Sequence, residues 1–478
     1  MKILLIVPNI ESFDHMPCLS IAYLKGFLNS KKKHESIIVD LAFNRNNWKE
    51  HIVNKINFHK PDIIGFSVLS FNYPCALKIA KYIKKRFKIK IIFGGVHAIL
   101  APEDVIENKE VDIVCIGEGE QVLQELLDHE LNCEKVKGIW YKKNGQIVKN
   151  QKRKLIENLN NLAFPDFSDF DIKHYFKINH NHFPIMASRG CPFSCTYCSN
   201  HALRRRLDGN YVRFRNVDNV LKEIELRVKQ YKDKGIRFLY FFDDTFILKK
   251  NFVIKFCNKF KENSYHKIIG WTANVRANLV TDDIIKIMKN AGCYEARMGV
   301  ESGNDYILNE VYNRNMTTLQ LLDAFRIIKK NGMQLRLDFI YGAPYETLSM
   351  MDESYELAKK SKADNVFFAK LYPFPGTEIK KICENEKTIN YDLNIKAKGM
   401  PPVEKTKYVT NTQMNDFKNK INKWQATNYF REGFQLKGLK FLSDIALFFI
   451  YTKFKYDLEF NQIFRWNVRN YKLEKLSK

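Results

Sequence analysis

Pro184-Ile185-Met186-Ala187-Ser188-Arg189-Gly190-Cys191-Pro192-Phe193-Ser194-Cys195-Thr196-Tyr197-Cys198 joins a short apolar run to three cysteines spaced C-x3-C-x2-C. The run Pro184–Ser188 reads as a strand, with Pro184 admissible as its first residue. The cysteines begin three residues after it, in the loop beyond the strand's carboxyl end. Downstream, candidate strands at Phe238–Phe242, Ile268–Thr272, Glu295–Val300, Gln334–Ile340 and Asn365–Leu371 alternate with helical stretches at Val217–Lys234, Asn251–Glu262, Asp282–Asn290, Thr318–Asn331 and Met350–Ser361. Short apolar strands with helical crossovers predict a parallel sheet. Six such units are too few for a closed eight-stranded barrel. They predict an α/β fold of the open, partial (β/α)6 kind, with its chemistry at the carboxyl ends of the strands.

The same alternation runs upstream through residues 1–135. Candidate strands are Lys2–Val7, Ser36–Leu41, Asp62–Ser67, Lys90–Phe93 and Asp112–Gly117, and helical stretches include Ser20–Leu28, Tyr73–Phe87 and Gln121–Leu127. Five such units predict a flavodoxin-like, doubly wound parallel sheet that binds ligands at its strand ends. Residues 136–181 read as a hairpin, Gly138–Tyr141 and Gln146–Val148 about Asn144-Gly145, followed by a linker over Lys152–Asp171. The partial barrel is expected over 182–400 and a mainly helical region over 401–478, with a helix at Asn411–Leu442 and a tail rich in aromatics and Lys.

Composition narrows the class. A chain of 478 residues with 45% hydrophobic residues predicts several packed domains. The apolar runs Ile3–Val7 and Ile445–Tyr451 are too short for an export signal or a membrane span, so a cytoplasmic protein without a transmembrane segment is expected. Ten cysteines in that setting do not suggest a disulfide framework. Seven of them (Cys18, Cys75, Cys115, Cys133, Cys257, Cys293, Cys383) are scattered singly and read as small buried hydrophobes. The net charge of +25 is spread along the chain and does not form a basic block interleaved with aromatics, so it carries no strong nucleic-acid signal. It is compatible with an anionic substrate or with a merely Lys-rich composition.

Three thiolates this close in sequence can hold three irons of a [4Fe-4S] cubane and leave the fourth open to a ligand. The competing reading is zinc, with His201, three residues past Cys198, as a fourth ligand.

The C-x3-C-x-aromatic-C loop, with Tyr197 as the aromatic, resembles the signature of the radical S-adenosylmethionine (SAM) superfamily. That resemblance implies a cluster on Cys191, Cys195 and Cys198 whose open iron binds SAM. It implies reductive cleavage of SAM to a 5′-deoxyadenosyl radical, fed by a low-potential donor such as flavodoxin or ferredoxin. Other segments are similar to family motifs at successive strand ends. Phe241-Phe242-Asp243-Asp244-Thr245-Phe246 stands where the family holds the SAM amino group. Trp271-Thr272-Ala273-Asn274-Val275-Arg276 offers Asn274 and Arg276, and Gly299-Val300-Glu301-Ser302-Gly303 offers Glu301 for a ribose hydroxyl with Ser302 beside it. Tyr341–Thr347 and Pro373–Thr377 end the last two strands. The acidic pair would equally suit a helix N-cap, and Glu301 a nearby Arg. Arg204–Arg206, Arg213 and Arg215 read as a solvated basic face or as holders of a carboxylate. No catalytic side chain is assigned.

Residues 1–160 resemble the cobalamin-binding domain of cobalamin-dependent radical SAM enzymes. The likeness rests on Pro17–Leu24, Ser67-Val68-Leu69, Gly94-Gly95-Val96-His97-Ala98 and Gly117-Glu118-Gly119-Glu120. It implies contacts to cobalamin from Ser67, Leu69, Gly94 and Gly95. A hydroxyl and bare backbone at strand ends suit a nucleotide tail in the sheet crevice. The D-x-H-x-x-G motif of methionine synthase-like domains is missing, since Asp14-His15 lack that spacing, which argues against histidine ligation of cobalt. His97 reads as structural. A relic fold that binds no corrinoid is the alternative.

With cobalamin, the resemblance implies methylation of an unactivated carbon or phosphorus in a small-molecule or lipid-like substrate, and the net charge of +25 points to an anionic one. Cyclisation or rearrangement, as in anaerobic magnesium-protoporphyrin ester cyclase relatives, is the alternative within enzymes. A corrinoid or iron–sulfur sensor is the alternative outside them. Methylthiolation of tRNA would be expected to bring a second cysteine-ligated cluster and an RNA-binding module, neither of which is evident.

Overall fold

A computed structural model describes residues 1–11, 15–389 and 402–437. Strands β1 (Lys2–Val7), β2 (Glu35–Asp40), β3 (Ile63–Ser67), β4 (Lys90–Gly94), β5 (Ile113–Cys115), β6 (Ile139–Lys143) and β7 (Gln146–Lys149) form one sheet in the order β2-β1-β3-β4-β5-β6-β7. The first five are parallel, as their continuous apolar runs require, while β6 and β7 add on antiparallel. The hairpin is therefore hydrogen-bonded onto the first sheet. The strand order reverses between β1 and β3, which puts the ligand crevice beyond the carboxyl ends of β1, β3 and β4.

Apolar helices cover both faces. Leu19–Ser30 and Gly119–Asp128 pack on one side and Trp48–His59 and Tyr73–Lys84 on the other. Directly after the expected linker stands a helix, Ile172–Ile178, N-capped by the Asp171 carboxylate. Phe167 in the linker and Tyr175 and Phe176 in the helix are buried in a core shared by both sheets.

The second sheet follows from β8 (His182–Ile185), with a two-residue antiparallel ladder of β9 (Ser188–Arg189) and β10 (Arg213–Phe214) beside it. Then come β11 (Phe238–Phe241), β12 (Gly270–Val275), β13 (Cys293–Glu301), β14 (Gln334–Tyr341) and β15 (Asn365–Lys370). The order is β8-β11-β12-β13-β14-β15, all parallel, a partial (β/α)6 barrel. Pro184 lies inside β8, not at its start. It is tolerated because β8 is an edge strand paired only with β11.

Period-two alternation splits the second sheet's faces. Leu239, Phe241, Trp271, Ala273, Ala296, Met298, Leu335 and Leu337 are buried against helical Val220, Ile224, Val253, Phe256, Ile285 and Phe325. Each such large side chain contributes about 1.5–3 kcal/mol of transfer free energy. The opposite, inward face carries Tyr240, Asn274, Arg297, Arg336 and Phe367, all half-buried. The helix Asn411–Lys437 lays Phe417 against Tyr341 and Phe368, and Trp424 against Tyr355, which covers the β15 edge. The tail 438–478, with Ile445–Tyr451 and the end of the expected helix, lies outside the described residues, as do 390–401 and Asp14. Among the described residues no helix is long and apolar enough to cross a membrane.

Glu346, just past β14, is fully buried. Its Oε2 accepts the Gly342 and Ala343 N–H groups at 2.6 and 3.1 Å, while Oε1 has no partner among the described residues. Burial pushes its carboxyl up to about 8. A folded value above the unfolded one means the native state binds more protons, so stability falls as pH rises from the ordinary carboxylate range to about 8. Glu346→Gln keeps an acceptor for both N–H groups and is expected to flatten that slope in urea melts across pH 5 to 8. A slope as steep as in the parent would count against the neutral acid.

Candidate active site

The cysteine loop is fixed from several sides. Gly190 adopts φ 85° and a Cβ there would stand 2.2 Å from the Tyr211 carbonyl oxygen, so the turn into Cys191 requires glycine. Thr196 donates its N–H to Tyr312 O (3.1 Å) and its hydroxyl to Val311 O (2.6 Å). Ile379 N–H reaches Thr196 O at 3.2 Å. Cys195 is buried, and Cys191 and Cys198 are half-buried. Burial raises the Cys191 thiol and pushes Cys198 up to about 12.

Every thiol meets a donor. The backbone N–H of Phe193 serves Cys191, Arg276 Nη1 lies 3.5 Å from Cys195 Sγ, and Asn200 Nδ2 lies 3.6 Å from Cys198 Sγ. Thiolates accept hydrogen bonds but cannot donate them, so this set fits three cluster ligands. The residues do not fit zinc as well. The buried His201 ring accepts the Glu378 N–H at its Nε2 at 3.4 Å, so that nitrogen is already engaged. Among the described residues no three His, Cys, Asp or Glu side chains converge on a point as a single ion requires. A cubane makes no such demand, because each thiolate binds a different iron.

The acidic pair separates. Asp243 is buried, and its oxygens accept Ala187 N–H (3.0 Å) and the Ser188 hydroxyl. Burial pushes it up to about 6. Asp244 faces a cavity and accepts Asn200 Nδ2 at 2.9 Å, and Asn200 Oδ1 accepts the Tyr211 hydroxyl at 2.7 Å. One amide thus joins a thiol, a carboxylate and a phenol, a junction that sequence reasoning missed although Asn200 stands two residues past Cys198.

Asn274 donates to Asp243 O at 2.8 Å. The Arg276 guanidinium lies 3.8 Å over the Phe193 ring, so it braces the loop from behind. Glu301 sits at φ 71° where the β13–β14 register shifts, and Arg314 holds it at 3.3 Å. Arg314 also bonds the Tyr197 hydroxyl. Ser302 is fully buried against Ser354 and accepts the Asn304 N–H, a structural role.

The cavity, about 530 Å³, lies where the carboxyl ends of the two sheets meet. Ser67, Leu69, Gly94 and Gly95 line one wall, and Ser188, Gly190, Ser199, Asn200, Phe242 and Asp244 line the other. Gly95 has φ 92°, and a Cβ there would stand 2.6 Å from Val68 N, so its bareness already serves the β3–β4 junction. Cys18 also lines this cavity, half-exposed beside Ser20, unlike the six other single cysteines, which are buried. His97 is buried, its Nδ1 2.9 Å from the Ser70 hydroxyl and its ring on Tyr73. Burial pushes it down to about 4, so it is neutral.

An ion network forms the cavity floor. Arg189 reaches Glu118 (2.7 Å) and Glu120 (2.6 Å), and Arg213 reaches Glu118 at 2.9 Å. Arg215 is buried on Glu223. Arg213 and Arg215 are therefore neither a solvated face nor free for a ligand. Arg204 binds the cysteine loop at Pro192 O and Ser194, Arg205 pairs with Glu378, and Arg206 donates to Ile99 O.

Comparisons with known proteins agree with this division. Residues 185–358 match the Radical SAM superfamily, and residues 9–127 match the B12 binding domain. An uncharacterized methyltransferase of Pyrococcus horikoshii is 30% identical over 428 residues, 87% of this chain and 90% of that protein. The anaerobic magnesium-protoporphyrin IX monomethyl ester cyclase of Rubrivivax gelatinosus is 29% identical over 79% of this chain and 69% of its own. Among solved structures, the cobalamin-dependent S-adenosylmethionine radical enzyme OxsB with aqua-cobalamin bound superposes with a TM-score of 0.72 at 20% identity, over 98% of this chain and 72% of that one. The radical S-adenosylmethionine methyltransferase TsrM of Kitasatospora setae, with cobalamin and a [4Fe-4S] cluster, gives 0.68 at 16% identity, over 80% and 75%.

Proposed function

Since the chain belongs to the radical SAM superfamily and carries a B12 binding domain ahead of its cysteine loop, we propose that it methylates an unactivated carbon or phosphorus of a small substrate with the help of cobalamin. The observation that carries this reading is the single cavity of about 530 Å³ onto which both candidate cofactor walls open, next to the cysteine loop. When bound, the cluster and SAM supply a hydrogen-abstracting radical and the corrinoid supplies the methyl group.

The chain's own residues have the following parts. Cys191, Cys195 and Cys198 hold the cluster, and their N–H donors stabilise the thiolates. Asp244, oriented by Asn200, accepts the SAM ammonium, while Asp243 anchors the turn behind it. Asn274 and Arg276 fix that wall, and Glu301, braced by Arg314, takes a ribose hydroxyl. Ser67, Gly94 and Gly95 seat the corrinoid's tail. Leu69 offers an apolar wall without a cobalt ligand, and His97 is turned to Ser70 and Tyr73. The reductant is a low-potential flavodoxin or ferredoxin.

Anaerobic purification from cobalamin-fed cells, with cobalt assay and SAM labelled at its methyl group, tests the reading. Near-stoichiometric corrinoid and a labelled product support it. Label-free product from corrinoid-loaded protein would transfer the assignment to the cyclisation or rearrangement class. Absence of SAM cleavage under reduction would leave a binding or sensor role.

A further inference from the structure

The inward face of the second sheet, opposite its helices, carries two arginines in one register row. Arg297 on β13 pairs directly with Arg336 on β14. Like charges opposite one another on neighbouring strands repel. Here each is held in place separately. Arg297 gives Nε to buried Glu295 at 2.9 Å, hydrogen-bonds Tyr240 and lies over its ring, 4.0 Å from the centroid. Arg336 gives Nε and Nη2 to Asp338 and lies over Phe367 at 4.1 Å. Nη1 and Nη2 of Arg297 and Nη1 of Arg336 have no carboxylate partner among the described residues. The side chains are 11% and 22% exposed, so water reaches them only in part.

On the same face, aromatic side chains lead toward the cavity. Tyr240 packs on Phe242 at 4.4 Å, and Phe242, 40% exposed, forms part of the cavity wall. Aromatic surface therefore runs unbroken from the cavity to the arginine pair. Two guanidinium groups locked in orientation, with nitrogens that no carboxylate engages, match the planar oxygens of one acid group, and little side-chain entropy is left to lose on binding.

We propose that Arg297 and Arg336 form the acid-binding end of the substrate site, and that the substrate carries a carboxylate or phosphate on a flat apolar body lying along Phe242 and Tyr240. This rests on the reading of the chain as a radical SAM enzyme and adds the substrate's chemical class to it.

The test uses cluster-reconstituted full-length protein and three probes: 2-naphthoate, 2-naphthyl phosphate and the uncharged 2-naphthamide, titrated calorimetrically with and without saturating SAM. The parent is expected to bind at least one acid about tenfold or more tightly than the amide, with SAM present or absent. Arg336→Gln is expected to erase that preference and Arg336→Lys to restore part of it, with circular dichroism and thermal midpoint reporting on folding. If Arg336→Gln misfolds, the parent's acid-to-amide ratio and its response to SAM decide the matter. Equal binding of acid and amide by the parent overturns the proposal. So does an undiminished preference in folded Arg336→Gln. Displacement of the acids by SAM also overturns it, because the arginines would then hold SAM's own carboxylate. SAM cleavage by dithionite is measured separately on the parent. Cleavage without acid binding fails this site and leaves the radical SAM reading intact, and acid binding without cleavage does the reverse.

Discussion

Replacing Cys195 by Ala is expected to leave reconstituted protein with little bound iron and no SAM cleavage. Cys195 is the buried member of the three, and Arg276 and the backbone around Thr196 hold its neighbourhood. Two remaining thiolates cannot retain a cubane that already has one iron without a protein ligand. Cys191→Ala and Cys198→Ala should behave alike. His201→Gln separates cluster from zinc, because the His201 Nε2 is already engaged with the Glu378 N–H. That variant is expected to bind iron and sulfide like the parent. Zinc in purified parent protein, lost with His201, would refute the cluster assignment. Iron and sulfide analysis with electron paramagnetic resonance of the reduced protein reads both outcomes.

Glu118→Ala should be among the most destabilising single changes. Glu118 is 14% exposed and accepts from Arg189, Arg213 and the Ile156 N–H. Arg213, 5% exposed, has no other carboxylate partner among the described residues. Removing one member of a buried pair leaves an uncompensated charge, at a cost of about 3–5 kcal/mol. Arg189 keeps Glu120 and is affected less. Burial alone would raise the Glu118 carboxyl, but Arg189 and Arg213 outweigh it and hold the value below the usual range. The sign follows: its stabilisation is full above the ordinary carboxylate range and is lost as pH falls through the lowered folded value. Urea melts near pH 7 and at acid pH check both parts. Glu134→Ala, which removes an exposed pair with Lys143, is the control expected to change nothing measurable. A Glu118→Ala midpoint equal to that control would count against the buried network.

Sequence periodicity located the strands because their apolar runs serve packing directly, as Leu239, Phe241, Leu335 and Leu337 do. It placed Pro184 wrongly because only the sheet order reveals β8 as an edge. The helix Ile172–Ile178 is too short for a period to stand out, and its cap, Asp171, reads equally well as a loop residue. The cysteine loop was legible because spacing alone carries its chemistry. Asp243 and Asp244 are chemically identical neighbours, and the turn after β11 decides which of them meets the cavity. Arg213 and Arg215 could not be separated from surface arginines, because Glu118 and Glu223 become their partners only in three dimensions. The Arg297–Arg336 row needed the β13–β14 register, which no single strand contains.

The floor of the cavity has a consequence for cutting the chain. Glu118 and Glu120 belong to the first sheet, and Arg189 and Arg213 to the segment around the cysteine loop. Separate fragments divided between residues 150 and 182 would expose a carboxylate pair on one piece and an arginine pair on the other. Each piece would be less stable alone, and opposite charge would steer the two together. The network would then act as a complementation joint: the halves would regain the shared cavity by reassociating in trans, and added salt would slow their meeting.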